Sequence, residues 1–232
     1  MNNTKHITIG IEGVVGAGKT SLCRELLDMI PNSIVLHGGN LYRGIVVAVM
    51  SSKLDIKAMM ANSGKQHIDI KQVMDILKVE IKIENRESVV YVAGQKIDEE
   101  QLQSDKASVA VSKVALSADN TKLYAFAKKL IDEFKEHYNV IISGRDLMKI
   151  YPELDYHIFI TASLEARVAR KAHQYEKDSI EYNTLKEHIQ QRDELQEKSG
   201  FYKIYPNTIK VDVTECKSAK ESAEKVYEII NK

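Results

Sequence analysis

The chain lacks several features that mark specialised classes of protein. Its 232 residues include no tryptophan, only three prolines and two cysteines. The longest apolar run, residues 45–50, is far too short to cross a bilayer, and no apolar signal segment opens the chain. The cysteines, Cys23 and Cys216, are isolated and have no metal-binding spacing, which is typical of a reducing compartment. We therefore expect a cytoplasmic protein that does not associate with a membrane.

The chain also has no excess of either charge. Lys and Arg together number 33, as do Asp and Glu, for a formal net charge of zero. This balance disfavours binding to a nucleic acid polymer, which a strongly basic chain would indicate. None of the seven histidines has a partner at a metal-binding spacing, so we expect them at the surface. We expect the chain to act as a monomer.

What the chain does have is a phosphate-binding sequence near its beginning. Residues 13–20 match the pattern G-x-x-x-x-G-K-[ST] without a mismatch. In such a loop the glycines let backbone N–H groups turn toward a triphosphate, and Lys19 reaches the β- and γ-phosphates. The Thr20 hydroxyl is the expected Mg²⁺ ligand. The predicted nucleotide-binding residues are Gly13, Val14, Val15, Gly16, Ala17, Gly18, Lys19, Thr20 and Ser21.

The residues on either side of this loop support the interpretation. Before it, Ile7, Ile9 and Ile11 alternate as in a buried strand. After it, apolar residues recur at helical spacing over residues 21–30, and Pro31 ends the run. Strand, loop and helix therefore follow one another in the order that phosphate binding requires, with the positive end of the helix dipole at the loop.

Strands and helices are predicted to alternate along most of the chain. The predicted strands are residues 33–36, 79–83, 88–92, 140–142, 156–160 and 208–213. The predicted helices are residues 41–50, 106–137, 179–198 and 218–230, with another that begins at Ser163. This alternation favours an α/β fold with a parallel sheet flanked by helices, whereas residues 79–92 predict a small antiparallel insert. The loop at residues 13–20 and the segment 144–146 both follow strands, so both should face one crevice.

Five arginines are candidates for handling phosphate, because guanidinium groups bind phosphate oxygens through paired hydrogen bonds. They are Arg43, Arg145, Arg167, Arg170 and Arg192. Arg145 follows a predicted core strand, which is a common position for a site residue. For Arg167, Arg170 and Arg192, a solvated surface position fits the pattern equally well. The role of Asp146 stays open between orienting an arginine, contacting a base and capping a turn.

These residues, in this order, resemble the bacterial cytidylate kinases, which are P-loop nucleoside monophosphate kinases. The specific signal is Gly144-Arg145-Asp146 followed by residues 151–154 and 158–163, and the resemblance spans nearly the whole chain. It implies a P-loop NTPase fold with a parallel sheet flanked by helices. The implied core is residues 1–50 and 106–232. Residues 51–105 would form a β-containing insert that binds the monophosphate. Residues from about 171 to 202 would form a helical lid.

The resemblance also implies a role for individual residues. ATP and Mg²⁺ are the implied cofactors, and small nucleotides are the implied partners. The implied catalytic residues are Lys19, Arg145, Arg167, Arg170 and Arg192. The implied residues for the acceptor are Gly39, Tyr42, Arg43, Ser112, Lys122, Arg145 and Asp146.

Several positions depart from the family pattern, and the departures fall on the acceptor side. The family has an arginine where this chain has Thr121, although Lys122 is adjacent, and a second arginine where it has Ser199. The ribose-binding Asp of the family falls at Gln196. Each lost charged hydrogen bond is worth about 1.5–3 kcal/mol, so we expect weaker binding of CMP than in a standard member.

The predicted function is ATP-dependent phosphoryl transfer to a nucleoside monophosphate, most simply CMP or dCMP. One alternative is a kinase of a different small acceptor such as a deoxynucleoside. A hydroxyl acceptor needs a nearby base, however, and the segment 143–146 does not supply the glutamate that those kinases use. The other alternative is a non-catalytic nucleotide-binding module, which would have no need of the arginines.

Overall fold

The computed structural model describes residues 5–51, 68–98, 101–102, 118–119, 121–174 and 182–231. The strands are β1 (Thr8–Gly13), β2 (Ser33–His37), β3 (Ile68–Asp69), β4 (Val79–Glu84), β5 (Glu87–Val92), β6 (Gln95–Lys96), β7 (Ala118–Asp119), β8 (Asn139–Ser143), β9 (Tyr156–Thr161) and β10 (Thr208–Asp212). The helices are α1 (Lys19–Met29), α2 (Gly38–Ser51), α3 (Ile70–Leu77), α4 (Thr121–Lys135), α5 (Leu147–Ile150), α6 (Leu164–Gln174), α7 (Tyr182–Lys198) and α8 (Ala219–Ile230).

The chain divides into two compact units. The first comprises residues 1–35 and 137–232, and the second comprises residues 36–136. The insert predicted at residues 51–105 lies inside the second unit, which also contains α2 and α4. No helix in the described part of the chain is both long and apolar enough to cross a membrane.

The first unit is built on a sheet with the strand order β10, β9, β1, β8, β2, in which β10, β9, β1 and β8 run parallel. β1 is parallel to both β8 and β9, with Ile9 opposite Ile141 on one side and Tyr156 on the other. Every residue of β1 is buried, as expected for a central strand that is covered on both faces. The predicted α/β fold with a parallel sheet flanked by helices is therefore confirmed. Because the strands are parallel, the loops that leave β1 and β8 share one edge of the sheet.

Helices α1 and α8 cover the core of this sheet together. The apolar face of α1 contributes Leu22, Cys23 and Leu26, all fully buried, as the helical spacing predicts. From α8 come Ala223 and Val226, which join the same cluster of buried side chains. Cys23 thus packs as a small apolar residue. The Ser218 hydroxyl begins α8 by accepting a hydrogen bond from the N–H of Glu221, which is a standard helix cap.

The second unit contains the predicted antiparallel hairpin. β4 and β5 pair along their whole length, from Val79 opposite Val92 to Glu84 opposite Glu87. The two residues between them, Asn85 and Arg86, both have positive φ angles, which suit a tight two-residue turn between twisted strands. Strand β6 then extends this small sheet beside β5.

Three elements differ from the predictions. Helix α3 lies in a region with no predicted helix, and α2 begins at Gly38 rather than after a cap at Asn40. The continuous helix predicted over residues 106–137 is wrong in its described part, where β7 pairs in parallel with β3 before α4 begins. A two-residue strand depends on its distant partner and leaves no periodic pattern in its own side chains. Residues 103–117 lie outside the described residues.

The surface position predicted for the histidines is wrong for two of them. His157 is 1% exposed and lies 3.1 Å from a carboxylate oxygen of Glu12. His37, at the end of β2, is also buried and contacts Glu87 at 2.7 Å. Both rings have a carboxylate partner, which satisfies a polar group that burial would otherwise penalise. Sequence spacing does not reveal partners that are so far away along the chain.

Candidate active site

The loop between β1 and α1 has backbone angles that suit the binding of phosphate. Gly16 and Gly18 adopt positive φ angles of 77° and 87°, and Gly18 immediately precedes α1. Within the described residues, no acceptor receives a hydrogen bond from the backbone N–H of Gly16, Gly18 or Thr20. These donors lie at the positive end of the helix dipole and therefore suit an anion.

Gly13, the first residue of the loop, is held by close backbone packing. Its φ is +148°, and a Cβ atom there would lie only 2.2 Å from the carbonyl oxygen of Ile160 on β9. The next residue, Val14, donates its N–H to that same oxygen at 3.1 Å. A side chain at position 13 would thus displace the loop from the sheet.

We expect Gly13→Ala to destabilise the fold by about 3 kcal/mol, because the contact is with backbone that cannot rotate away. Gly94→Ala is the matched control, since Gly94 also has a positive φ but has no neighbouring atom within 4 Å. It should cost only about 1 kcal/mol. Urea unfolding of the two variants measures both values, and equal costs would show that the contact with Ile160 is unimportant.

Lys19 lies over this loop within a group of positive charges. Its Nζ donates hydrogen bonds of 2.9 Å to the carbonyl oxygens of Gly13 and Val14. Burial lowers the pKa of Lys19 well below its ordinary value, and the neighbouring charges of Arg145 and Arg192 lower it further. Burial also lowers the pKa of Arg145. Lys19 and Arg145 thus lie close to other positive charges, and a bound polyanion would relieve this repulsion. Arg192, on α7, is exposed to solvent.

Arg145 is oriented by two contacts at the end of β8. Its Nε donates to Oε1 of Gln196 at 2.5 Å, and its Nη1 donates to the carbonyl oxygen of Gly144 at 2.9 Å. The next residue, Asp146, adopts a left-handed conformation with φ 55°, and its carboxylate lies 2.9 Å from Lys149 Nζ. The turn therefore directs Arg145 toward Gln196 on α7, near the charge of Lys19, while Asp146 contacts Lys149 of α5. Gln196, at the position where the resemblance implies a ribose-binding Asp, is here a partner of Arg145.

The carboxylate of Glu12 holds the residue that follows this turn, Leu147. Glu12 is a residue that the sequence did not predict for the site. Its carboxylate is buried, and Oε1 accepts a 2.7 Å hydrogen bond from the N–H of Leu147. Oε2 lies 3.1 Å from His157 Nε2, and His157 Nδ1 lies 2.8 Å from the Thr208 hydroxyl. This polar chain links the end of β1 to the start of α5 and, through the interior, to β9 and β10. The position of Glu12 immediately before the loop was a possible signal, although its partners are more than a hundred residues away.

Arg167 also reaches the phosphate-binding loop. This side chain on α6 is buried, and its Nη1 donates to the carbonyl oxygen of Val15 at 3.0 Å. The same nitrogen forms an ion pair with Asp193 on α7. Arg167 is therefore a fixed residue of the loop's surroundings, and the alternative of a solvated surface arginine is wrong for it.

Arg170, one turn further along α6, is directed elsewhere. Its Nη2 donates to the carbonyl oxygens of Val213 and Cys216, the latter at 3.1 Å, in the segment that follows β10. Its Nη1 is buried and has no hydrogen-bond partner among the described residues. The catalytic role of Arg170 stays a prediction, whereas its contact with the segment after β10 is a property of the fold.

The remaining acceptor residues predicted from the sequence belong to the second unit or lie outside the description. Gly39, Tyr42 and Arg43 are in the first half of α2, where Arg43 Nη1 lies 3.4 Å from the Asn40 side-chain oxygen. Thr121 and Lys122 begin α4. Ser112 lies outside the described residues. The roles of these residues in acceptor binding stay predictions.

Thr20 is the predicted metal ligand, and it lies in the first turn of α1 beside Lys19. Among the described residues, no three His, Cys, Asp or Glu side chains are grouped so that they could hold a metal ion. A hydroxyl beside a phosphate-binding loop fits a magnesium ion that takes most of its ligands from phosphates and water.

A phosphate-binding loop beside clustered lysine and arginine side chains, at the carboxyl edge of a parallel sheet, defines a P-loop phosphotransferase. The family model for cytidylate kinase matches residues 9–232. Since the match covers nearly the whole chain, the protein belongs to the cytidylate kinase family.

Individual relatives are similar along their full length. The cytidylate kinase of Caldanaerobacter subterraneus subsp. tengcongensis is 26% identical over 232 residues, which cover 97% of this chain and 95% of the relative. The cytidylate kinase of Thermotoga maritima is 27% identical over 230 residues, with 96% of each chain covered. That of Bacillus licheniformis is 27% identical over 236 residues, with 98% and 97% covered.

Proposed function

We propose that this protein transfers a phosphoryl group from ATP to a nucleoside monophosphate, with CMP or dCMP as the acceptor. The observation that carries the proposal is the placement of Lys19 against the carbonyl oxygens of Gly13 and Val14 in the phosphate-binding loop, with the charges of Arg145 and Arg192 nearby. Family membership and relatives named cytidylate kinase support the choice of acceptor.

The donor side of the reaction uses the loop and its neighbouring cations. The N–H groups of Gly16, Gly18 and Thr20 would hold the phosphates of ATP, and Lys19 would move from the carbonyl oxygens of Gly13 and Val14 to the β- and γ-phosphates. Arg192 would then stabilise the negative charge on the transferring group. When bound with ATP, Mg²⁺ neutralises phosphate charge, and the Thr20 hydroxyl would hold it.

The acceptor side needs positioning and positive charge rather than a base. A phosphate acceptor is already an anionic nucleophile, and Arg145 would grip it. The carboxylates nearest the loop are engaged in other contacts: Glu12 with Leu147 and His157, and Asp193 with Arg167. This arrangement favours a phosphate acceptor over a nucleoside hydroxyl, which would require a carboxylate that can take its proton.

The acceptor is best tested with a panel of nucleosides and nucleoside monophosphates supplied with ATP and Mg²⁺, with ADP production as the measurement. We expect CMP or dCMP to be phosphorylated and nucleosides to be inert. Turnover of a nucleoside without turnover of any monophosphate would contradict the proposal. We further propose that the protein acts as a cytoplasmic monomer that does not bind nucleic acid polymers, in keeping with its balanced charge and its family's small substrates.

Thr121→Arg restores one arginine of the family pattern and should raise kcat/KM for CMP about tenfold, since a charged hydrogen bond contributes about 1.5–3 kcal/mol. Thr121→Gln adds length without charge and should give no such gain. Steady-state kinetics with CMP and dCMP distinguish the two variants. If Thr121→Arg brings no improvement while another monophosphate reacts well, the acceptor site serves a different nucleotide.

A further inference from the structure

Three side chains hold the peptide groups of Val15, at the tip of the phosphate-binding loop. Its N–H donates to Asp193 Oδ1 at 3.1 Å and to the Tyr202 hydroxyl at 3.1 Å. Its carbonyl oxygen accepts a hydrogen bond of 3.0 Å from Arg167 Nη1. Both polar groups of one loop residue are thus bound by side chains that come from α6, α7 and the turn after α7.

These side chains also bind one another. Asp193 uses Oδ2 for the ion pair with Arg167 and Oδ1 for the hydroxyl of Tyr202. Arg167 is further fixed through Nε, which donates to the carbonyl oxygen of Ala162 at 3.1 Å. Within the described residues, Nη2 of Arg167 donates to no protein acceptor. The ring of contacts therefore sets the direction of one guanidinium beside the loop and leaves one of its donor nitrogens for a ligand.

Tyr202 is itself held in place by the sheet. Its ring packs edge-on against Phe159 of β9, with 5.7 Å between the ring centroids. Burial, together with the hydrogen bond to Asp193, raises the pKa of Tyr202 far above its ordinary value. The hydroxyl therefore stays protonated and donates to Asp193, while its oxygen accepts from Val15.

We propose that Asp193 and Tyr202 are positioning residues for phosphoryl transfer, which hold Arg167 and the tip of the loop in a single arrangement. The inference rests on the proposed function, because the group that Arg167 would meet is the phosphate chain of ATP. A charge held in place before the reaction lowers the barrier, since no reorganisation is needed when negative charge develops. Asp193 also lies near Lys19, where its charge opposes the arrival of an anion. The Asp193 carboxylate therefore orients Arg167 but weakens the binding of ATP.

The test uses two variants and two controls matched to them. Asp193→Asn keeps an oxygen for Val15 but removes the charge that orients Arg167, and Tyr202→Phe removes only the hydroxyl. Asp155→Asn is the first control, because Asp155 accepts hydrogen bonds from Thr8 at the opposite end of β1. Tyr156→Phe is the second, because the Tyr156 hydroxyl donates to the carbonyl oxygen of Ile230, away from the loop.

We expect kcat to fall about tenfold or more in Asp193→Asn and about threefold in Tyr202→Phe, because a charged hydrogen bond contributes more than a neutral one. The KM for ATP should not rise in either variant, because neither change removes a positive charge. A purely structural role would lower the thermal midpoint and would not separate kcat from KM in this way. Both controls should keep the wild-type kcat.

Three results would overturn the assignment. They are a kcat of Asp193→Asn within about twofold of wild type, a loss that resides only in KM, and an equal loss of kcat in the controls. Amide exchange of Val15, measured without nucleotide, should be faster in both variants and unchanged in both controls. If the wild-type protein phosphorylates neither CMP nor dCMP, the proposed function fails. Val15 exchange then decides the inference, and unchanged exchange in the two variants would refute it.

Discussion

Lys19→Met is expected to lower kcat by about 10²–10³-fold, the loss typical of removing one charged group that stabilises a transition state. Lys19 lies between the loop carbonyls of Gly13 and Val14 and the charges of Arg145 and Arg192. No other lysine lies in the matched motif, so no neighbour with the same reach replaces it. Lys210→Met, at an exposed position of β10, is the control and should keep wild-type turnover with ATP and CMP.

Lys19→Met should be no less stable than the wild type. The pKa of Lys19 is lower in the folded protein than in the unfolded chain, so its charged form opposes folding at neutral pH. This cost is present below the folded-state pKa and disappears as the pH rises toward the unfolded-state pKa. Methionine removes the cost at every pH and offsets the loss of two hydrogen bonds. A thermal midpoint well below that of wild type would show instead that Lys19 has a mainly structural role.

Arg145→Lys is expected to lower kcat/KM for the acceptor about 10²-fold, although it preserves the charge. Lysine cannot form paired hydrogen bonds with a phosphate, and it loses the contacts with Gln196 and the carbonyl of Gly144. Gln196→Ala separates the two effects, because it removes only the contact that orients Nε. Gln196→Ala should lower kcat/KM for the acceptor about threefold.

Initial rates with varied CMP at saturating ATP give both values for Arg145 and Gln196. If Arg145→Lys turns over at the wild-type rate, Arg145 does not bind the transferred or accepting phosphate. If Gln196→Ala lowers kcat/KM as much as Arg145→Lys does, Arg145 acts only when Gln196 of α7 orients it. Only the first outcome would move the acceptor phosphate away from the end of β8.

The parts of the site that could be predicted are those encoded by neighbouring residues. The strand, loop and helix at residues 7–30 depend on alternation, on glycines and on helical spacing, all of which are visible in a short window. The same holds for the hairpin of β4 and β5 and for the helix predicted over residues 218–230, which corresponds to α8. Arg145 could be placed because it directly follows a strand of recognisable pattern.

The parts that could not be predicted depend on residues that are distant along the chain. Val15 and its partners Asp193 and Tyr202 are separated by 178 and 187 residues. The pairing of His157 with Glu12 likewise spans 145 residues. Periodicity carries no information about such contacts, and a buried histidine looks the same in sequence as an exposed one. The distinct roles of Arg167 and Arg170, three residues apart on one helix, follow only from what packs against each of them.

The central position of β1 determines how late in synthesis the phosphate-binding loop can acquire its shape. The strand leaves the ribosome well before its two neighbours, β8 and β9, which begin at residues 139 and 156. The side chains that hold Val15 follow later still, at residues 193 and 202. Long-range pairing of this kind is slow, because the intervening chain must be closed into a loop before any contact is gained. A nascent chain therefore carries the complete nucleotide-binding motif long before it has a nucleotide-binding site.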